Sequence, residues 1–105
     1  MSSSGRGGPI ERPPTSDCST LRDKTPLNSV DSDVLRGVNI GDILPVTAQG
    51  DRGPLVVTNK NGEVLGSITS MKLAALLRCI NDGFEFVAEV ESISGGQVVV
   101  LIRAK

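Results

Sequence analysis

The residue types that most often carry catalysis and metal binding are scarce in this sequence. The chain of 105 residues contains no His, which excludes Ser–His and Cys–His nucleophilic pairs. Cys18 and Cys79 are the only cysteines, and two isolated thiols do not supply the ligands of a zinc site. The phosphate-binding pattern Gly-x-x-x-x-Gly-Lys-Ser/Thr is also absent. We therefore expect a protein that is not an enzyme and that uses no metal and no cofactor.

The charged residues allow two kinds of binding surface. Glu85, Glu89 and Glu91 share one face of a predicted strand, which is typical of a solvated sheet face or of an acidic patch for a basic partner. The cations after residue 37 would form a nucleic-acid groove only if the fold gathered them, and otherwise belong to a mixed-charge surface. These cations are Arg52, Lys60, Lys72, Arg78, Arg103 and Lys105.

Composition argues against broad affinity for polyanions. The chain has 11 basic and 12 acidic residues, a net charge of -1. Phe84 and Phe86 are its only aromatic residues, so platforms on which bases could stack are nearly excluded. Any nucleic-acid binding would depend on few cations and would weaken as salt rises.

The cysteine count and the length of the apolar runs indicate in which cellular compartment the protein is expected. Residues 1–9 lack the apolar stretch of a secretory signal, and two cysteines in such a chain favour reduced thiols. No apolar run approaches the roughly 20 residues that a bilayer-spanning helix needs. The sequence predicts a soluble cytoplasmic protein without a membrane segment.

The elements that would position these residues begin at a change of composition near residue 37. Residues 1–37 are rich in Ser, Pro and Gly with scattered single apolar residues, which predicts a disordered tail. Within it, Ser29 could cap a short turn over 29–36, or a first strand could run through 34–40. Residues 38–105 form the predicted single small β-rich domain.

Periodicity within 38–105 predicts the order β-β-β-α-β-β, with one further strand possible before it. Residues 43–47 contain Pro45 and suit an edge strand. Asn61-Gly62 predicts a hairpin between strands at 55–58 and 64–68. An amphipathic helix is expected at about 70–82, ending at Gly83. We expect an α+β, mainly β fold: a small antiparallel sheet or barrel of five to six strands.

The last two predicted strands differ in their surroundings. Phe84, Phe86, Ala88 and Val90 alternate with more polar residues, which indicates a half-buried strand. Residues 98–102 are apolar on both faces and are therefore expected at the centre of the sheet.

Several short glycine-containing segments recur at a recognisable spacing between residues 41 and 102. They are Gly41-Asp42, Asp51-Arg52-Gly53, Asn61-Gly62, Gly66 and Asp82-Gly83. With these segments, residues 41–102 resemble the HIRAN domain family. HIRAN domains are small β-barrel modules that occur beside helicase and nuclease domains or alone, and the best-understood members bind single-stranded DNA at its 3′ end. The resemblance implies a reader of single-stranded DNA or DNA ends.

The resemblance also implies positions for the DNA contacts. Asp51 matches the acid of the family's loop, and Arg52, Lys60 and Lys72 are the cations expected to line a groove. The chain departs from the family at Ser67, where an aromatic residue is common, and it has no Tyr or Trp to stack on bases. Stacking contributes roughly 1–3 kcal/mol per base, so weak binding is expected.

A different kind of partner fits the same residues. A protein-interaction adaptor could dock a protein partner through the predicted edge strand 43–47 or through the acidic face of Glu85, Glu89 and Glu91. On the residues alone, this alternative is as good as DNA binding. In either case we expect a monomer or a weak homodimer.

Overall fold

The computed structural model describes residues 18–50 and 54–105, which form one curled antiparallel sheet with two short helices. Its six strands lie in the order β1-β6-β5-β2-β3-β4. This confirms the predicted mainly-β fold and the order of its elements. In chain order these are β1 (Arg22–Pro26), α1 (Ser32–Leu35), β2 (Ile43–Ala48), β3 (Leu55–Thr58), β4 (Val64–Ile68), α2 (Leu73–Asn81), β5 (Phe86–Ser94) and β6 (Gln97–Ala104).

Strand β1 lies inside the segment that was predicted to be a disordered tail. It pairs with β6 along its whole length, and Leu27 directly after it is 5% exposed. The prediction of a disordered tail up to residue 37 is therefore wrong for residues 18–37. The segment is ordered because its few apolar residues are buried against distant strands, a gain that local composition does not reveal. The remainder of the predicted tail, residues 1–17, lies outside the described residues.

Helix α1 forms where a capped turn was one of two predictions, but its cap is Asp31 rather than Ser29. The Asp31 carboxylate accepts hydrogen bonds from the backbone N–H groups of Asp33 and Val34, at 2.9 and 3.1 Å. Ser29 instead adopts a left-handed conformation with φ 54°. The alternative strand over 34–40 does not form.

Strand β2 is not the edge strand that Pro45 predicted. It lies between β5 and β3 in the interior of the sheet. The ladder with β3 starts at the Val46–Val57 pair, while Pro45 pairs only with Val87 of β5. Because Pro45 precedes the ladder with β3, an interior strand tolerates it there.

The predicted hairpin and the predicted central strand are both confirmed. Strands β3 and β4 pair across a loop in which Gly62 has φ +85°, and the Asn59 side chain accepts hydrogen bonds from the N–H groups of Asn61 and Glu63. Strand β6 lies between β1 and β5. Its inward residues Val98, Val100 and Ile102 are fully buried, as their apolar pattern indicates.

Helix α2 confirms the predicted helix and its end at Gly83. Its first turn is preceded by Ser70, whose hydroxyl accepts a hydrogen bond from the Lys72 N–H. At the other end Gly83 has φ +101°, and the N–H groups of Gly83 and Phe84 bond the carbonyls of Ile80 and Cys79, each at 3.0 Å. This pair of bonds is a Schellman motif. No helix in the described part of the chain is long and apolar enough to cross a membrane.

Cys18 and Cys79 form a disulfide, which corrects the prediction of reduced thiols. Their Cα atoms lie 5.7 Å apart, and both side chains are buried at 0% and 4% exposure. Cys18 was assigned to a polar tail, but it is the first residue that the structure describes and it is bonded to α2. The cytoplasmic prediction rested in part on free thiols, and that part of its basis is removed because disulfides persist mainly in oxidising compartments.

The two ends of the sheet are joined by the segment that follows β1. Asn28 and Ser67 exchange two backbone hydrogen bonds of 2.9 Å, and the Asp31 N–H bonds the Leu65 carbonyl at 2.8 Å. The segment 27–31 thus covers the outer edge of β4, and the core lies inside the resulting curl.

Candidate binding groove

An apolar stripe lies on the outer face of the sheet where β2 and β5 pair. Side chains alternate along a strand, so the burial of Leu44 and Val46 places Ile43, Pro45 and Thr47 on the outside. Pro45 lies opposite Val87, and both face outward. Ile43 and Pro45 are exposed, whereas Val87 is 8% exposed.

The C-terminal end of α2 turns this stripe into a groove. Ile80 and Phe84 line one side of a depression of about 580 Å³ whose other walls come from β2 and β5. The Schellman motif fixes Phe84 there, because its N–H is bonded to Cys79. Ile43 is 45% exposed at the groove. We call this depression the β2–β5 groove; its lining residues are Ile43, Pro45, Val46, Thr47, Ala48, Ile80, Phe84, Glu85, Phe86, Val87 and Lys105.

One ion pair lies at the rim of the β2–β5 groove. Lys105 Nζ is 3.3 Å from Glu85 Oε1, and the Lys105 backbone N–H also bonds the Glu85 carbonyl at 2.9 Å. Both side chains are largely exposed, so the pair adds little stability. The rim therefore offers one charge of each sign to a bound molecule.

The three glutamates of the predicted acidic face each have a cationic neighbour. Besides Glu85 with Lys105, the Glu89 carboxylate lies 3.7 Å from Arg103 Nε, and that of Glu91 lies 3.2 Å from Lys24 Nζ. Arg103 lies in β6, Lys105 directly follows β6, and Lys24 lies in β1, which is separated from β5 by β6. The glutamates thus belong to a mixed-charge sheet face, which weakens the idea of an acidic docking patch.

Of the four predicted DNA-contacting residues the structure describes two, Lys60 and Lys72, and these two do not lie together. Asp51 and Arg52 lie outside the described residues. Lys60 is in the β3–β4 hairpin loop before β4, whereas Lys72 follows β4, so the length of that strand separates them. Lys72 Nζ donates a hydrogen bond of 2.8 Å to the Arg22 carbonyl.

Lys60 lies beside a separate, more polar hollow of about 430 Å³. Asn59 and Asn61 of the hairpin and Asn39 and Asp42 of the α1–β2 loop share its lining. Asp42 is held by accepting a hydrogen bond of 2.9 Å from the Asn39 N–H. Among the described residues that line this hollow, Lys60 is the one cation, and beside amides and a carboxylate it does not form a phosphate-binding track.

Comparisons with protein families, with curated proteins and with solved structures find no match to this chain. The HIRAN resemblance therefore remains a prediction from the residues.

Sequence reasoning proposed docking through 43–47 and Glu85, which line the β2–β5 groove, but it missed the contribution of Ile80 and Phe84. It assigned 43–47 to an edge and treated Phe84 as part of a strand. The sequence did contain one indication of the groove. Side chains alternate along a strand, so Ile43 and Pro45 lie on the opposite side of β2 from Leu44, and both are apolar. What the pattern could not provide was Ile80 and Phe84, since they reach the same surface only through the packing of α2.

Proposed function

We propose that the protein is a non-enzymatic binding module that holds a short segment of a protein partner in the β2–β5 groove. The observation that carries the proposal is the apolar lining of the groove, in which Ile43, 45% exposed, and the exposed Pro45 lie above the buried Val87. An apolar surface of this kind gains free energy when a partner's apolar side chains displace water from it.

The form of the groove indicates how a partner would be held. Strands β2 and β5 each have a neighbouring strand on both sides, so neither is an outer strand open to strand addition along its length. Recognition would depend on one or two large apolar side chains inserted against Pro45 and Phe84. The Glu85–Lys105 pair at the rim would orient flanking polar groups.

Single-stranded DNA is less well supported as the ligand. Lys24, Arg103 and Lys105 each lie beside a glutamate, and Lys60 and Lys72 are separated by β4. Phe86 is 2% exposed and cannot stack on a base without opening the core. DNA binding nevertheless follows from the HIRAN resemblance, so it is included as an arm of the test.

A matched pair of variants tests the proposal. Ile43→Glu puts a charge into the groove, and Val64→Glu makes the same change at an apolar strand residue that is 38% exposed and lies outside it. A random dodecapeptide phage library would be selected on the oxidised full chain. We expect enriched peptides with large apolar residues whose affinity falls at least tenfold in I43E and stays within twofold in V64E.

Two results would contradict the proposal. In the first, no peptide is enriched above background. In the second, the selected peptides bind I43E as well as they bind the unchanged chain.

A separate experiment tests DNA as the ligand. A single-stranded oligonucleotide with a free 3′ hydroxyl would be titrated at low salt into ¹⁵N-labelled protein. Amide shifts at Lys60 and Lys72, with none in the groove, would favour DNA instead.

A further inference from the structure

We propose that the chain carries its own competitor for the β2–β5 groove, namely residues 9–14. Their sequence is Pro-Ile-Glu-Arg-Pro-Pro. This proposal rests on the proposed function, because it concerns regulation of the same groove. In it, a partner segment must displace residues 9–14 before it can bind.

The first argument is where residues 1–17 join the fold. They are connected at Cys18, whose Cα lies 5.7 Å from that of Cys79. Ile80, the next residue after Cys79, lines the groove, and the N–H of Phe84, another lining residue, bonds the Cys79 carbonyl at 3.0 Å. The disulfide therefore attaches the preceding segment directly beside the groove wall.

The second argument is reach. An extended chain spans up to about 3.3 Å per residue, so the eight steps from Cys18 back to Ile10 cover up to roughly 26 Å. This length far exceeds the single residue step from Cys79 to Ile80, which lines the groove. A short tether also raises the local concentration of the segment to about the millimolar range, so weak affinity would be enough for occupancy.

The third argument is chemical fit. Ile10 is a large apolar side chain of the kind that the wall formed by Ile43 and Phe84 would accept, and prolines lie on both sides of it. Glu11 and Arg12 carry one charge of each sign. The groove rim also presents one of each, through Lys105 and Glu85.

The test uses the full oxidised chain with ¹³C-labelled isoleucine methyl groups. Ile10→Ser removes the apolar anchor, and Arg6→Ser is the matched control in the same terminal segment outside residues 9–14. We expect I10S to shift the methyl signals of Ile43 and Ile80 while leaving buried Ile102 unchanged, and R6S to shift none of them. Binding of the dye ANS, an apolar probe, should rise several-fold in I10S only.

The outcomes separate this proposal from the proposed function. If I10S leaves Ile43 and Ile80 unshifted and ANS binding unchanged, the competitor is disproved. The proposed function would still stand in that case if I43E weakens the binding of selected peptides. If I10S shifts the groove methyls but I43E has no effect on peptides, the segment occupies the groove and the partner-binding function is wrong.

Discussion

Gly66 is the residue at which the sheet closes on itself. A Cβ atom at this position would lie 3.0 Å from the Asn28 carbonyl oxygen and 3.1 Å from Leu27 Cβ. Both neighbours belong to the segment that covers β4, and that segment is held by the two Asn28–Ser67 backbone bonds. The absence of a side chain thus permits the close approach, while the backbone conformation itself does not require glycine.

We predict that Gly66→Ala lowers the free energy of unfolding by about 2 kcal/mol, because overpacking a closed core typically costs 1–3 kcal/mol. Urea unfolding followed by circular dichroism measures it, since the chain has no Trp or Tyr for fluorescence. Gly37→Ala is the control: its Cβ would come no closer than 3.8 Å to Val34 O. Equal effects in the two variants would show that crowding at Gly66 is not the cause.

Asp31 and Asp33 permit a second comparison of single residues. Asp31 caps α1, whereas Asp33 only lies 3.5 Å from Arg36 in an exposed pair. Losing a cap costs about 1 kcal/mol, and losing an exposed ion pair costs about 0–0.5 kcal/mol. We therefore predict that Asp31→Ala lowers the urea midpoint clearly and Asp33→Ala hardly does. A larger effect at Asp33 would contradict the assignment of the cap.

At the scale of elements, α2 is fixed at its C-terminal end by one local and one covalent feature. The Schellman motif at Gly83 ends the helix, and the disulfide ties Cys79 to Cys18, four residues before β1. At the other end of the helix, the hydrogen bond from Lys72 Nζ to the Arg22 carbonyl is a second link to the start of the described chain. The disulfide also holds the groove wall formed by Ile80.

We predict that removing the disulfide lowers the free energy of unfolding by about 4 kcal/mol, the chain-entropy value for a crosslink across 61 residues. Urea unfolding with and without a dithiol reductant measures the change. The double variant Cys18→Ser/Cys79→Ser should be as unstable as the reduced protein and insensitive to reductant. If reductant and the double variant leave the midpoint unchanged, the crosslink contributes nothing to stability.

Strand β1 illustrates how an outer strand avoids unwanted pairing. It is short, it carries Lys24 and Pro26 on its exposed side, and Asp23 occupies an inward position with an unpartnered buried oxygen, Oδ2. Charged and proline residues on an edge, including inward charges, disfavour the addition of another strand. The stability lost at Asp23 is consistent with such protection.

At the scale of the whole molecule, both outer strands are protected. The edge of β4 is covered by residues 27–31, and Asp23, Lys24 and Pro26 disfavour the pairing of another strand with β1. This arrangement favours a monomer and argues against strand addition as the binding mode.

We predict that the oxidised chain sediments as a monomer at concentrations up to about the hundred-micromolar range. The reason is that neither outer strand offers an open edge to a second copy of the chain. Asn28→Pro removes the N–H that bonds Ser67 and should uncover β4, so this variant is expected to associate as its concentration rises. Sedimentation velocity distinguishes the two. A stable dimer of the unchanged chain would contradict the protected-edge interpretation.

The local elements of the fold, namely one hairpin, one helix and one interior strand, follow from the sequence alone. Asn61-Gly62, the amphipathic run before Gly83 and the apolar 98–102 segment predict the hairpin, the helix and the central strand because neighbouring residues set turn conformation and side-chain period. Other features depend on contacts between residues that are distant in the sequence. These features are the formation of strand β1, the interior position of β2, the Cys18–Cys79 bond and the β2–β5 groove. Such contacts follow from packing in space, so no local pattern around Cys18 or Pro45 records them.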